Sequence, residues 1–222
     1  MSNQDHRRGV FSVVGAERLS IRGFVLSKKA EEAEQLTPDG RVIHARCQKI
    51  VGINNQMNIL KKYIPEENLS FEMISGRKYI VFKIGNIEKV ILCASVTYLG
   101  NPHPIFKKRI QIPRAWKEFC QANSTRDVIF LGIYHYRSLD IFVDFVSDTY
   151  LKRDLHNSSA HVYTNDLYLG LTNGIHSRVD VNNNTINTVN SDQLFSYLSG
   201  NHGKKSELIE AVKAINEMFP FG

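Results

Sequence analysis

Asp140 and Asp144 stand four residues apart in the alternating run Leu139–Val146, with Phe142 between them. On a strand that spacing sets both carboxylates on one face. A preceding apolar run, Val128–Tyr136, brings Tyr134 and His135 alongside across a two-residue turn, Arg137-Ser138. Paired acids suit a divalent cation, and Mg²⁺ with a nearby positive side chain is common equipment for hydrolysing phosphodiesters. This reading makes Asp140 and Asp144 both the catalytic acids and the Mg²⁺ ligands, and Lys107 the accompanying cation. The competing reading leaves the pair on an exposed sheet face, balanced by Arg137 or Lys152.

The arrangement most common in prokaryotic DNA-cutting enzymes is an acid, one spacer and a lysine on a strand. No lysine in this chain has an acid two positions before it. Pro38-Asp39 offers only the first half of such a motif. The strand where the second half belongs reads Val-Ile-Leu-Cys-Ala-Ser-Val-Thr-Tyr over residues 90–98. His156 and His161 have no cysteine or third histidine at zinc-ligand spacing, so zinc is not indicated.

Charge points to the partner. Between Gly100 and Arg126 lie six cations, Lys107, Lys108, Arg109, Arg114, Lys117 and Arg126, against one acid, Glu118. That segment carries +5 of a net +6, and a concentrated field of this sign implies a polyanion. Within it Ile105, Lys107, Arg109 and Gln111 alternate with Phe106, Lys108, Ile110 and Ile112, so the strand has one cationic face. The three cations cannot all point outward, and Lys108 is the one expected to matter least. His103 and a basic helix, Pro113–Ala122, extend the patch through Arg114 and Lys117. Farther on, His156–Leu167 is dense in hydrogen-bonding side chains. Asn157, Ser158, His161 and Asn165 are of types that meet base edges and phosphates.

The elements that must position these groups read as an α+β fold, with a mixed, largely antiparallel central sheet and helices packed on it. A helix is expected over Asn54–Ile64. Strands follow over Leu69–Ser75, Lys78–Gly85 and Lys89–Leu99 as a meander, with Val128–Tyr136 and Leu139–Val146 at the centre of the core. A short helix is expected over Asp166–Leu171. Arg178–Val181 and Thr185–Val189 form a hairpin around Asn182–Asn184, and helices over Asp192–Ser199 and Glu207–Phe219 close the chain. Val10–Val14 and Ile21–Leu26 read as strands. The 222 residues suit one DNA-binding domain, with 1–40 as an N-terminal arm or small subdomain. Three unpaired cysteines, the lack of a signal-like N-terminus and the lack of a long apolar run suggest a reducing cytoplasm and no membrane.

Three blocks resemble those of small type II restriction endonucleases: Tyr98-Leu-Gly-Asn-Pro-His-Pro-Ile-Phe-Lys-Lys-Arg109, Ile141-Phe-Val-Asp-Phe145 and Asn157–Leu167. The resemblance implies a homodimer that grips a short palindrome in double-stranded DNA and cuts both strands with Mg²⁺. A non-catalytic DNA-binding or target-recognition module is the alternative that needs no catalytic signature. A second alternative starts from Gly132-Ile133-Tyr134 and Tyr168-Leu-Gly170, with Arg178 ten residues after Tyr168. These look like the halves of a GIY-YIG nuclease that uses Tyr134, Tyr168 and Arg178, with Glu207 or Glu210 on the metal. The halves normally sit much closer together than here.

Overall fold

The computed structural model describes residues 32–151 and 158–200. The strands expected at Val10–Val14 and Ile21–Leu26, the residues Lys152, His156 and Asn157, and the helix Glu207–Phe219 with Glu207 and Glu210 lie outside the described residues. The order begins with β1 (Glu32–Leu36), β2 (Val42–Arg46), α1 (Ile53–Leu60), β3 (Leu69–Ile74), β4 (Arg77–Ile84), β5 (Ile87–Ser95) and β6 (Thr97–Tyr98). Next come β7 (Lys107–Ile112), α2 (Arg114–Ala122), β8 (Asp127–Tyr136), β9 (Leu139–Phe145) and α3 (Ser147–Leu151). The last described elements are β10 (Ser158–Tyr163), α4 (Thr164–Asn173), β11 (Ile175–Val179), β12 (Thr185–Asn190) and α5 (Leu194–Leu198).

Seven strands make the main sheet in the order β11-β12-β9-β8-β5-β4-β3. The β3–β4–β5 meander and the β8–β9 hairpin are antiparallel. Their tight turns place Gly76 at φ 76° and Arg137 at φ 56°. β5 and β8 pair in parallel because α2 carries the chain back across the sheet between them. The fold is therefore α+β, with a mixed, mostly antiparallel sheet, as the sequence indicated. β6, β7 and β10 form a second, three-stranded sheet, and β1–β2 a hairpin.

Both faces of the main sheet are covered, which is why β9 is buried at every position. On one face, Ile110, Ile112, Ala160 and Val162 of the small sheet meet Val96, Val143 and Phe145. α2 packs beside them, with Trp116 and Phe130 ring centroids 5.2 Å apart and Tyr79 and Phe119 4.3 Å apart. The two sheets approach most closely at Gly132. A Cβ there would lie 2.8 Å from Val96 Cγ2 and 3.1 Å from Ile110 Cγ2. On the other face, Met57, Ile59, Leu60 and Ile64 together with Leu194 and Leu198 cover Phe82, Ile91, Leu131 and Phe142. Burying each such side chain is worth about 1.5–3 kcal/mol.

Two elements depart from expectation. β1 lies in a stretch whose charge hid its alternation, and Leu36 at its end is fully buried in the core. The strand expected over Lys89–Leu99 divides at Val96, whose N–H is taken by the Ile133 carbonyl at 2.9 Å, and the chain then turns into the small sheet.

Candidate nucleic-acid interface

β7 alternates in the fold as it does in the sequence. Lys108, Ile110 and Ile112 are buried, while Lys107, Arg109 and Gln111 face outward. Pairing with β10 sets Tyr163 opposite Lys107, His161 opposite Arg109 and Ser159 opposite Gln111. β6 adds Thr97 beside Arg109. One face of the three-stranded sheet is thus apolar and packed, and the other is a polar, cationic surface. The Arg109 guanidinium donates to Ser159 Oγ at 3.3 Å. A groove of about 410 Å³ runs along its edge, lined by Lys49, Gln56, Tyr98, Arg109 and Gln111.

The six cations of the 100–126 segment do not share this surface. Lys108 is fully buried beneath it and donates to the Glu34 carbonyl and to Thr164 Oγ1. Burial lowers its pKa to about 8, against smaller raising effects from Cys47 and Glu34. Lys117, expected on an open helix face, is instead 1% exposed, because on α2 it shares the inward side with Phe119 and Cys120. Arg114 is exposed but pairs with Glu118 at 2.7 Å, and Arg126 pairs with Glu88 at 3.0 Å and Glu72 at 3.5 Å. Lys107 and Arg109 make no ion pair among the described residues. The expected patch therefore contracts to Lys107 and Arg109, with Lys49 at the groove. His103 sits in the exposed loop before β7, and Asn165 is exposed on α4. Ser158 is half-buried at the end of β10, opposite Ile112, on the apolar side.

Asp140 and Asp144 do share a strand face, but it is a buried one rather than an exposed one. Four residues of strand separate them by about 13 Å, far too much for one ion to bridge. They therefore do not form the Mg²⁺ site expected of them, and Lys107 lies on a different sheet from both. Asp140, 1% exposed, accepts from Tyr63 Oη at 2.7 Å and Lys62 Nζ at 3.2 Å, and lies 2.5 Å from His135 Nδ1. Burial and the neighbouring Asp140 carboxylate raise the Tyr63 pKa. This cluster ties the end of α1 to the β8–β9 turn.

Asp144, 8% exposed, accepts from Tyr197 Oη at 2.6 Å, which in turn accepts from Asn187 Nδ2 at 2.9 Å. Burial pushes the Asp144 pKa up to about 6, with the Tyr197 hydroxyl opposing. It borders a cavity of about 470 Å³ that is also lined by Lys89, Arg126, Asp127 and Asp148. Lys89 forms an ion pair with Asp127. The cavity opens at the start of β5, and the cationic face lies past its end, about 20 Å along the strand. No group of three or more His, Cys, Asp or Glu side chains converges to hold a metal among the described residues.

The GIY-YIG arrangement fails on geometry. Tyr134 is 1% exposed, and its hydroxyl accepts from Leu36 N–H at 2.7 Å and donates to the Leu36 carbonyl at 3.0 Å. Burial raises its pKa, so it is unsuited to activating water. Arg178 is held by both oxygens of Asp166 at 3.0 Å. Gly132 is explained by the close approach of the two sheets.

A family model described as methylase-associated X1 matches residues 87–198, just over half of the 222-residue chain. The chain belongs to the methylase-associated X1 family. No curated protein and no solved structure matches it. The family's description names a methylase association, which is consistent with a restriction–modification context. The matched span runs from the start of β5 to the end of α5. It contains the cationic face, the Asp144 cavity and Arg178, but not Lys62 and Tyr63. No helix among the described residues is long and apolar enough to cross a membrane.

The residues that sequence reasoning missed are the partners, namely Lys62, Tyr63, Tyr197, Lys89 and Asp127. They come from distant segments, and no local spacing announces them.

Proposed function

We propose that this methylase-associated X1 protein is the DNA-gripping component of a restriction–modification system, binding double-stranded DNA sequence-specifically through the polar face of β6, β7 and β10. One observation carries the reading. The small sheet buries Ile110, Ile112, Ala160 and Val162, and turns Lys107, Arg109, Gln111, Ser159 and His161 outward. Lys107 and Arg109 track phosphates, while Gln111, Ser159 and His161 meet base edges. A homodimer would pair two such faces on a palindromic site.

Measure duplex binding by fluorescence anisotropy over a series of salt concentrations. Lys107→Ala and Arg109→Ala should each weaken binding to all sequences and flatten the slope of log K against log salt by about 0.9. Absence of binding at low salt, or unchanged slopes in both variants, overturns the reading.

The second reading is that the protein also cuts DNA as a Mg²⁺-dependent endodeoxyribonuclease. It draws on the resemblance to type II restriction endonucleases and on the cavity that holds Asp127, Asp144 and Asp148 within the family span. Mg²⁺ should then produce discrete fragments from mixed-sequence DNA that EDTA abolishes. It should also raise the thermal stability of the wild type but not of Asp144→Ala. Intact DNA with Mg²⁺ and Mn²⁺ across a range of pH removes this reading and leaves the first standing.

A further inference from the structure

At the α4 end of the polar face an aromatic and cationic stack is held more rigidly than a solvated surface requires. The Phe106 and Tyr163 rings meet edge-on, with centroids 6.0 Å apart at 64°. The Arg178 guanidinium lies 4.7 Å from the Tyr163 centroid. It is fixed there by both Asp166 oxygens at 3.0 Å, and its Nη2 donates to the His161 carbonyl at 3.3 Å. Asp166 Oδ2 also accepts from Tyr163 N–H at 2.9 Å, so one carboxylate sets both ring and cation. The Phe106 carbonyl is held by Thr164 N–H at 3.0 Å, while the residue as a whole is 46% exposed. Lys107 lies directly opposite Tyr163 across the β7–β10 ladder.

An exposed ring beside a half-exposed one, a locked guanidinium and a cation with no ion pair among the described residues suit one class of ligand. That ligand is a nucleobase out of its stack, whose plane lies on the aromatic rings and whose phosphate meets Lys107. Aromatic stacking favours unpaired bases, because a paired base already has its neighbours. We infer that Phe106 and Tyr163 form a platform for an unpaired or extruded base, with Arg178 bracing Tyr163 from behind. The inference rests on the DNA-binding reading above and adds a preference for distorted DNA.

The test uses the full chain and three duplexes of one sequence: fully paired, with a central mismatch, and with 2-aminopurine at the mismatched position. The wild type should bind the mismatched duplex about 5- to 150-fold more tightly than the paired one, the range expected for one stacked base. It should also change the 2-aminopurine emission. Phe106→Ala and Tyr163→Leu, checked for folding by circular dichroism, should lose that preference and still bind paired DNA. Lys107→Ala should weaken both duplexes alike. Equal affinity of the wild type for paired and mismatched DNA, or a preference that survives in both aromatic variants, overturns the platform while leaving duplex binding intact. No binding to any duplex overturns both.

Discussion

Asp144 offers the sharpest check on whether the buried face of β9 is as dry as described. Its carboxyl is 8% exposed, and burial raises its pKa from 3.8 to about 6. A group whose folded pKa is raised binds more protons folded than unfolded between those two values. Stability must therefore fall as pH rises through that window and then level off. At 1.36 kcal/mol per decade of proton affinity, the loss is on the order of 3 kcal/mol. Asp144→Asn has no such titration, although its amide can leave a buried donor unsatisfied and so shift its stability by a constant amount. The informative quantity is thus the difference between the two proteins as a function of pH, not either value alone. Urea unfolding followed by the single tryptophan, Trp116, packed on Phe130, supplies it. The wild type minus the variant should drop by about 2–3 kcal/mol between pH 4 and pH 7. A flat difference refutes the reasoning, because it would mean the carboxylate ionises in the fold as easily as in water.

Lys108 gives the opposite sign. Its folded pKa of about 8 lies below the ordinary 10.5, so the unfolded chain binds more protons between those values and stability rises with pH across them. Lys108→Met should lose that rise, apart from a constant offset for the Glu34 carbonyl and Thr164 hydroxyl it leaves without a donor, and bind DNA with an unchanged salt slope; a rise that survives in the variant would contradict the burial argument. Gly132→Ala places a methyl 2.8 Å from Val96 Cγ2 and 3.0 Å from Phe145 Cε2. It should cost about 1–3 kcal/mol by chemical denaturation, and no cost would mean the two sheets are not in contact there.

Much of the scaffold was legible in the chain. The apolar-rich runs at 128–136 and 139–146 became the central hairpin because apolar side chains at both odd and even positions bury both faces of a strand. The meander from Leu69 to Ser95 followed from tight turns at Ser75-Gly76 and Gly85-Asn86, which only short-range geometry sets. The two-faced character of β7 was written in its period of two. So was the burial of Lys108, since a strand cannot show consecutive side chains on one side.

Tertiary structure alone decided what those faces met. Period two placed Asp140 and Asp144 together, but not on which side of the sheet. α1 and α5 then covered that side, so the pair became two separate buried acids with Tyr63 and Tyr197 as donors. Counting charge gave six cations in the 100–126 segment, whereas packing left Lys107 and Arg109 on the polar face with no ion pair among the described residues. Helical rotation turned Lys117 inward, and Glu72, Glu88 and Glu118 came to neutralise Arg126 and Arg114. Likewise nothing in the sequence ties Arg178 to Tyr163 and Asp166, and the three become one assembly only where β11 passes β10 and α4. Local periodicity reports which residues share a face, because it depends on backbone geometry within a few residues. Which faces become surface, and which charges find partners, depends on contacts between segments tens of residues apart, and those exist only in the folded chain.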